Sequence, residues 1–177
     1  QTLKNLKVCR GIIEGLVKEH HGRIFNTAGD SVLAEFQSAV EAVICASEFQ
    51  KTIKERNNSV SEEEQMQFRV GVNMGDVVIE GDNLYGDGVN VAARLEALAQ
   101  PGGICLSKNV HEIVNKKTDF QFNDLGEQKV KDTVLHAVDV VIDASHERKV
   151  KTKSKSQVPL IAAIVGILVL GIGGFAY

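Results

Sequence analysis

Apolar positions recur every three or four residues through Leu3, Leu6, Cys9, Ile13, Leu16 and His20. That period predicts an amphipathic helix from Thr2 to His20, stopped by Gly22. Two short extended runs follow, Arg23 to Ala28 and Ser31 to Phe36, separated only by Gly29-Asp30. The spacing predicts a tight β-hairpin with glycine first in the turn and Asp30 at its tip. Helical spacing returns at Val40, Val43, Ala46, Phe49 and Ile53 behind Ser38, a natural N-cap. Asn57 to Gln67, with Glu62, Glu63 and Glu64, reads as a solvated loop. Phe68 to Val72 and Asp76 to Glu80 are strand-like, broken at Met74-Gly75, and Gly81-Asp82-Asn83 reads as a turn. Gly86-Asp87-Gly88 then opens a helix whose first amides Asp87 can cap, with Val89, Ala92, Ala93, Leu95 and Leu98 as its apolar stripe. Pro101-Gly102-Gly103 closes it. Ile104 to Leu106 is a strand, Asn109 to Asn115 a short helix that Ser107 can cap, and Phe120 to Gly126 and Leu135 to Ile142 a last strand pair. Strands and helices alternate without an all-parallel rhythm, which predicts a mixed sheet with helices packed on it, α/β in the α+β sense.

The pattern breaks after Asp143. Arg148, Lys149, Lys151, Lys153 and Lys155 make 144–157 a basic linker that cannot bury a core, and 158–177 carries no charge at all. As a helix that stretch is long enough to cross about 30 Å of hydrocarbon, so one transmembrane helix is expected over 158–177. The lysines before it place the domain over 1–143 on the cytoplasmic side. The chain opens at Gln1 inside a helical pattern and stops inside the apolar run, which we read as a piece of a longer protein.

Composition narrows the classes. With 177 residues, 44% of them hydrophobic, there is room for one ordinary domain and something extra. A net charge of -3, no Trp and 5% aromatic residues argue against a nucleic-acid partner, which needs basic patches or stacking platforms. Cys9, Cys45 and Cys105 are far apart and form no CxxC, so they read as reduced core residues.

The candidate chemistry starts at Asn90 and Arg94, which stand four apart and share one helix face. An amide and a guanidinium fork side by side suit a phosphate, although as a bare pair they more often make a solvated surface. Asp30 alone is ordinary turn chemistry. His20, His21, His111 and His136 are scattered without ligand spacing.

Four segments together change this picture: GRIFNTAGDSVLAEF at 22–36, FRVGVNMGDVV at 68–78, LYGDGVNVAARLEAL at 84–98 and PGGICLS at 101–107. In unbroken order, from about Leu3 to Ile142, they resemble the catalytic domain of a bacterial-type class III adenylate/guanylate cyclase. The resemblance implies a ferredoxin-like domain that forms head-to-tail homodimers with catalytic sites at the interface. The implied reaction is attack of a ribose 3′-hydroxyl on the α-phosphorus of its own nucleoside triphosphate, releasing pyrophosphate. Such a displacement needs carboxylate-held cations, and the resemblance implies two Mg²⁺ or Mn²⁺ per site.

By the same resemblance, Asp30 is one of two metal aspartates, Arg94 stabilises charge on the α-phosphate, Asn90 orients the ribose and Tyr85 lines the purine pocket. In the assembled dimer, Asp30 of one subunit would face Asn90 and Arg94 of the other. Asn26 and Asn83 stand where the family's adenine-reading lysine and aspartate are usual. An amide carries both a donor and an acceptor, so the pair can read adenine and also guanine. ATP is the expected substrate, with GTP possible. The family's other metal aspartate and its phosphate loop precede the first helix, so this stretch by itself is expected to be inactive. Lys131 matches a lysine of the family's closing segment only loosely and is left out of the site. The competing expectation is a cyclase-like domain that has lost base recognition and serves as a dimerising or nucleotide-sensing module.

Overall fold

The computed structural model describes residues 2–143, Arg148 and the backbone of 166–172. Helix α1 (Thr2–Glu19) buries Asn5, Cys9, Ile13 and Val17, one residue per turn, as the apolar spacing requires. It ends where His21 turns left-handed at φ 58°, with the Gly22 N–H donating to the Val17 carbonyl at 2.7 Å. Gly22 is therefore needed for a reason other than the expected helix stop. A Cβ there would lie 2.6 Å from the Phe36 ring.

Strands β1 (Arg23–Ala28) and β2 (Ser31–Phe36) pair antiparallel with Ala28 opposite Ser31, leaving Gly29-Asp30 as the turn and Gly29 at φ 59°. Helix α2 (Ala39–Asn58) starts at Ser38, whose hydroxyl accepts the Glu41 N–H at 3.3 Å. It runs into the segment expected as loop, and a 3-10 turn follows at Glu62–Glu64. That segment is less solvated than its charges suggest: Met66 is buried, and the Asn57 amide bonds both its carbonyl and its N–H, at 2.7 and 3.1 Å.

Next come β3 (Phe68–Met74), β4 (Val78–Glu80), β5 (Asn83–Tyr85), α3 (Asp87–Leu98), β6 (Ile104–Ser107), α4 (Lys108–Val114), β7 (Gln121–Val130) and β8 (Thr133–Val141). Asn83, expected in a turn, opens β5 instead, because Gly81 at φ 61° lets a two-residue turn fold β5 back on β4. Strands β7 and β8 continue to a two-residue turn in which Lys131 takes φ 54°, a position that carries no glycine to announce it. Two expected caps are corrected. The cap of α3 is the Gly86 backbone at φ 123° rather than the Asp87 side chain, and at α4 the Asn109 side-chain oxygen Oδ1, not the Ser107 hydroxyl, accepts the Val110 N–H at 3.0 Å.

With β9 (Gly166–Ile172) between β2 and β3, the sheet order is β1-β2-β9-β3-β6-β8-β7, antiparallel except for β3 beside β6. One face carries the main core, where Cys9, Ile13 and Val17 of α1, Phe49 of α2 and Val110 of α4 meet Phe36, Val70 and Leu106. Among the described helices α3 is the one on the other face, where Leu95 and, just past the helix end, Ala99 pack on Cys105 and Ala137. The expected α+β mixed sheet with helices packed on it is what forms.

The transmembrane helix expected over 158–177 overlaps the described residues only at 166–172. Gly166–Ile172 is strand β9, between β2 and β3 and antiparallel to both, with Ala34 opposite Leu168 and Val70 opposite Leu170. A charge-free Ile/Val/Leu run satisfies a buried central strand as well as a membrane helix, and apolar periodicity does not separate the two. Among the described residues no helix is long and apolar enough to cross a membrane. The rest of 158–177, and the linker over 144–157 apart from Arg148, lie outside the described residues.

Candidate active site

Helix α3 lies unusually close to the sheet because β3 presents Gly71 beneath it. A Cβ at Gly71 would sit 2.3 Å from both the Ala92 carbonyl oxygen and the Glu96 nitrogen. At the start of the helix, the buried Asn73 amide donates to the Gly88 carbonyl at 3.1 Å. A small second core of Phe25, Leu84 and Ala92 then joins β1, β5 and α3.

This core positions most of the polar candidates. Asn26 follows Phe25, Asn83 and Tyr85 flank Leu84, and Asn90 and Arg94 stand two residues either side of Ala92. Leu84 is 3% exposed while Tyr85 is 50% exposed, so β5 turns its neighbours outward, as strand alternation dictates. Asn26 and Asn90 are exposed, and Asn83 and Arg94 half-buried. Asn26, Asn83, Tyr85, Asn90 and Arg94 thus stand next in the chain to, or two residues from, the members of this small core, on β1, β5 and α3.

Asp30 is carried separately, exposed on the β1–β2 tip, where the Arg10 guanidinium donates to the Gly29 carbonyl just before it. Its charge still reaches α3. The half-buried Glu96 carboxyl is raised above its ordinary value by burial first, Arg69 opposes this, and Asp30 adds to it. Among the described residues no group of three or more His, Cys, Asp or Glu could hold a metal ion. Asp30 alone does not make a cation site, since a divalent ion takes six or more oxygen ligands.

Beside this tip lies a cleft of about 520 Å³ lined by Leu3, Lys4, Leu6, Lys7, Arg10 and Gly29. Lys4, Lys7 and Arg10 stand three residues apart on one stripe of α1, a spacing that by itself marks only a solvated helix face.

The remaining titratable candidates are structural. His20 is pinned between Glu41 and Glu48, both carboxylates 2.7 Å from its ring nitrogens, and His111 packs edge-on against Phe122 with ring centroids 4.6 Å apart. Cys9, Cys45 and Cys105 are buried free thiols, as expected.

Over 120 residues the chain is 49% identical to putative adenylate cyclase 3 of Rhizobium meliloti (strain 1021), covering 68% of this chain and 20% of that protein. It is 30% identical over 116 residues to the serine/threonine-protein kinase pkn2 of Myxococcus xanthus, covering 66% of this chain and 14% of that one. The chain therefore spans a fifth or less of these curated relatives. Among solved structures it is similar to an adenylate/guanylate cyclase/hydrolase from Silicibacter pomeroyi, with TM-score 0.74 and 40% identity over 81% of this chain and 86% of that one. The model of the adenylate and guanylate cyclase catalytic domain matches residues 1–152. Since that match takes in every described helix and every strand through β8, the chain belongs to the adenylate and guanylate cyclase catalytic-domain family.

Proposed function

We propose that this chain is the catalytic domain of a nucleotidyl cyclase that converts ATP to cyclic AMP and pyrophosphate, working as a homodimer with two equivalent sites. The observation that carries the proposal is the fixed placement of α3, with Asn90 and Arg94 one turn apart on a helix that rests directly on the sheet at Gly71. Preorganised donors stabilise charge that develops in a transition state because they need not reorganise when it forms. In this reading the Arg94 fork holds the α-phosphate oxygens as negative charge gathers there. Asn90 orients the ribose so that its 3′-hydroxyl lies in line with the bond to pyrophosphate. Asn26 and Asn83 read the base edge against Tyr85, and Lys4, Lys7 and Arg10 beside the Asp30 tip attract the polyphosphate.

Two Mg²⁺ or Mn²⁺ per site would neutralise the triphosphate, Asp30 offering one carboxylate. The other oxygen ligands would come from the nucleotide and from residues outside the described set. The whole protein is proposed to be membrane-anchored through 158–177, with this domain on the cytoplasmic face. The strand at Gly166–Ile172 is the competing placement of the same residues, and resistance of the full-length protein to extraction from membranes by alkaline carbonate separates the two.

The test is an assay of the full-length protein with ATP and with GTP in Mn²⁺, alongside Asp30→Ala and Arg94→Ala. Wild type is expected to make cyclic nucleotide, and both variants to lose about 100-fold or more in kcat. No product from a folded, dimeric wild type overturns the proposal. A non-catalytic, nucleotide-sensing dimer is the second reading, favoured by two observations. Amides stand at both base-reading positions, and β9 fills the sheet position that a ferredoxin-like order gives to the strand before α1.

A further inference from the structure

We propose that Arg148 is a positioning residue: folding back from the basic segment after the domain, it locks the C-terminal end of α3 and so couples that segment to the helix carrying Asn90 and Arg94. The inference rests on the functional reading above only in its kinetic consequence. Asp139 lies on β8, opposite Cys105 of β6 and Asn123 of β7, on the same face as Ala137, which packs against α3. It is 5% exposed, a carboxylate buried beside the cluster of Leu95, Ala99, Cys105 and Ala137.

Arg148 reaches it with a two-pronged contact, Nε 2.7 Å from Oδ2 and Nη2 3.1 Å from Oδ1. Nη2 also donates to the Leu98 carbonyl at 2.7 Å, and the Asn123 amide holds the Arg148 backbone carbonyl at 2.6 Å. Leu98 ends α3, where the last carbonyls have no partner within the helix and a cation is favoured. One guanidinium thus caps α3, balances a buried carboxylate and is itself tied to β7. Arg94 stands one turn before Leu98. A shift of the helix end moves the phosphate-facing groups with it, and misplacement of about 1 Å is enough to cost a reaction heavily. Whatever pulls on the segment beyond Arg148 therefore acts on α3 first. A lysine could not take the place of Arg148, because a fork is needed to meet a carboxylate and a carbonyl together.

The experiment has two arms on the full-length protein. In the first, Arg148→Gln and Arg148→Lys are compared with wild type by amide hydrogen exchange. Exchange in the last turn of α3, Leu95 to Ala99, is expected to quicken about tenfold or more in Arg148→Gln and to be only partly restored in Arg148→Lys. Asp139→Asn should do the same, and the double variant should add little to either single one. In the second arm, Arg148→Gln is expected to lower kcat about tenfold with KM within about twofold, because Arg94 acts on charge that forms in the transition state. Unchanged α3 exchange overturns the latch, whatever the activity does. Faster exchange with unchanged kcat per folded dimer overturns the coupling and leaves a stabilising contact. Absence of product from wild type overturns the functional reading instead, and the exchange arm still decides the latch.

Discussion

Replacing Gly71 by alanine tests how helix α3 is held, and the structure fixes the expected size of the effect. The added methyl would lie 2.3 Å from the Ala92 oxygen and the Glu96 nitrogen and 3.0 Å from the Glu96 Cα. Ordinary contact needs more than about 3.4 Å, so α3 must retreat by about 1 Å, since the obstructing atoms are backbone and have no rotamer to change. A gap of that size forfeits a quarter to a half of the dispersion energy on the facing surface, here Ala92 and Leu95, both 0% exposed. Overpacking of this kind costs about 1–3 kcal/mol, and the upper end applies when backbone meets backbone. Alanine also gains about 0.4–1 kcal/mol by restricting the unfolded chain. The clash is larger, so net destabilisation of about 2 kcal/mol is expected, read from urea unfolding. Gly15→Ala is the control: it lies exposed in α1 with nothing within 4 Å, and helix propensity alone should stabilise by about 1 kcal/mol. Cyclase activity per folded Gly71→Ala molecule should fall as well. A Gly71→Ala protein as stable as wild type would refute the claim that α3 rests on that glycine.

Other predictions follow from the same geometry. His20 is mostly buried, which opposes its charged form, but Glu48 and Glu41 outweigh that and raise its pKa above 6.5. The folded pKa is the higher one, so its contribution to stability is full below 6.5 and is lost as pH rises through the folded value. The stability difference between wild type and His20→Gln, followed by urea unfolding, should therefore shrink with rising pH. Burial pushes the Cys45 thiol up to about 12 and raises Cys9 and Cys105, so none should react with a thiol reagent at neutral pH until the protein is unfolded. The double variant Asn26→Lys/Asn83→Asp should raise the ATP-to-GTP ratio of kcat/KM about tenfold or more, and an unchanged ratio would place base recognition elsewhere.

The parts of the fold legible in the sequence are those where a local rule is strong. Strands β1 and β2 begin and end where the alternation and the Gly29 turn placed them, and Ser38 caps α2 as read. Asn26, Asn83, Asn90 and Arg94 could be singled out because the cyclase-like motifs name those positions, and their chain neighbours Phe25, Leu84 and Ala92 bring β1, β5 and α3 into contact. Features set by tertiary contact were hidden. Strand β5 is three residues long and exists because β4 lies beside it, and the Lys131 turn is left-handed without a glycine. Arg148 read as one more cation in a basic run, since nothing local shows that Asp139, nine residues earlier, is buried.

The apolar stretch after the linker shows most directly what such a reading lacks. GILVLGI is free of charge and rich in β-branched and leucine side chains, a composition that a hydrocarbon layer and a sheet interior select equally. What separates the two is the partner. Strands β2 and β3 each offer an unsatisfied backbone edge to the position between them, and leaving such buried donors and acceptors unpaired is costly. A membrane helix satisfies the same groups internally. The outcome for residues 166–172 is thus decided by whether another strand holds the place between β2 and β3, which is a property of the rest of the sheet and not of the segment's own residues.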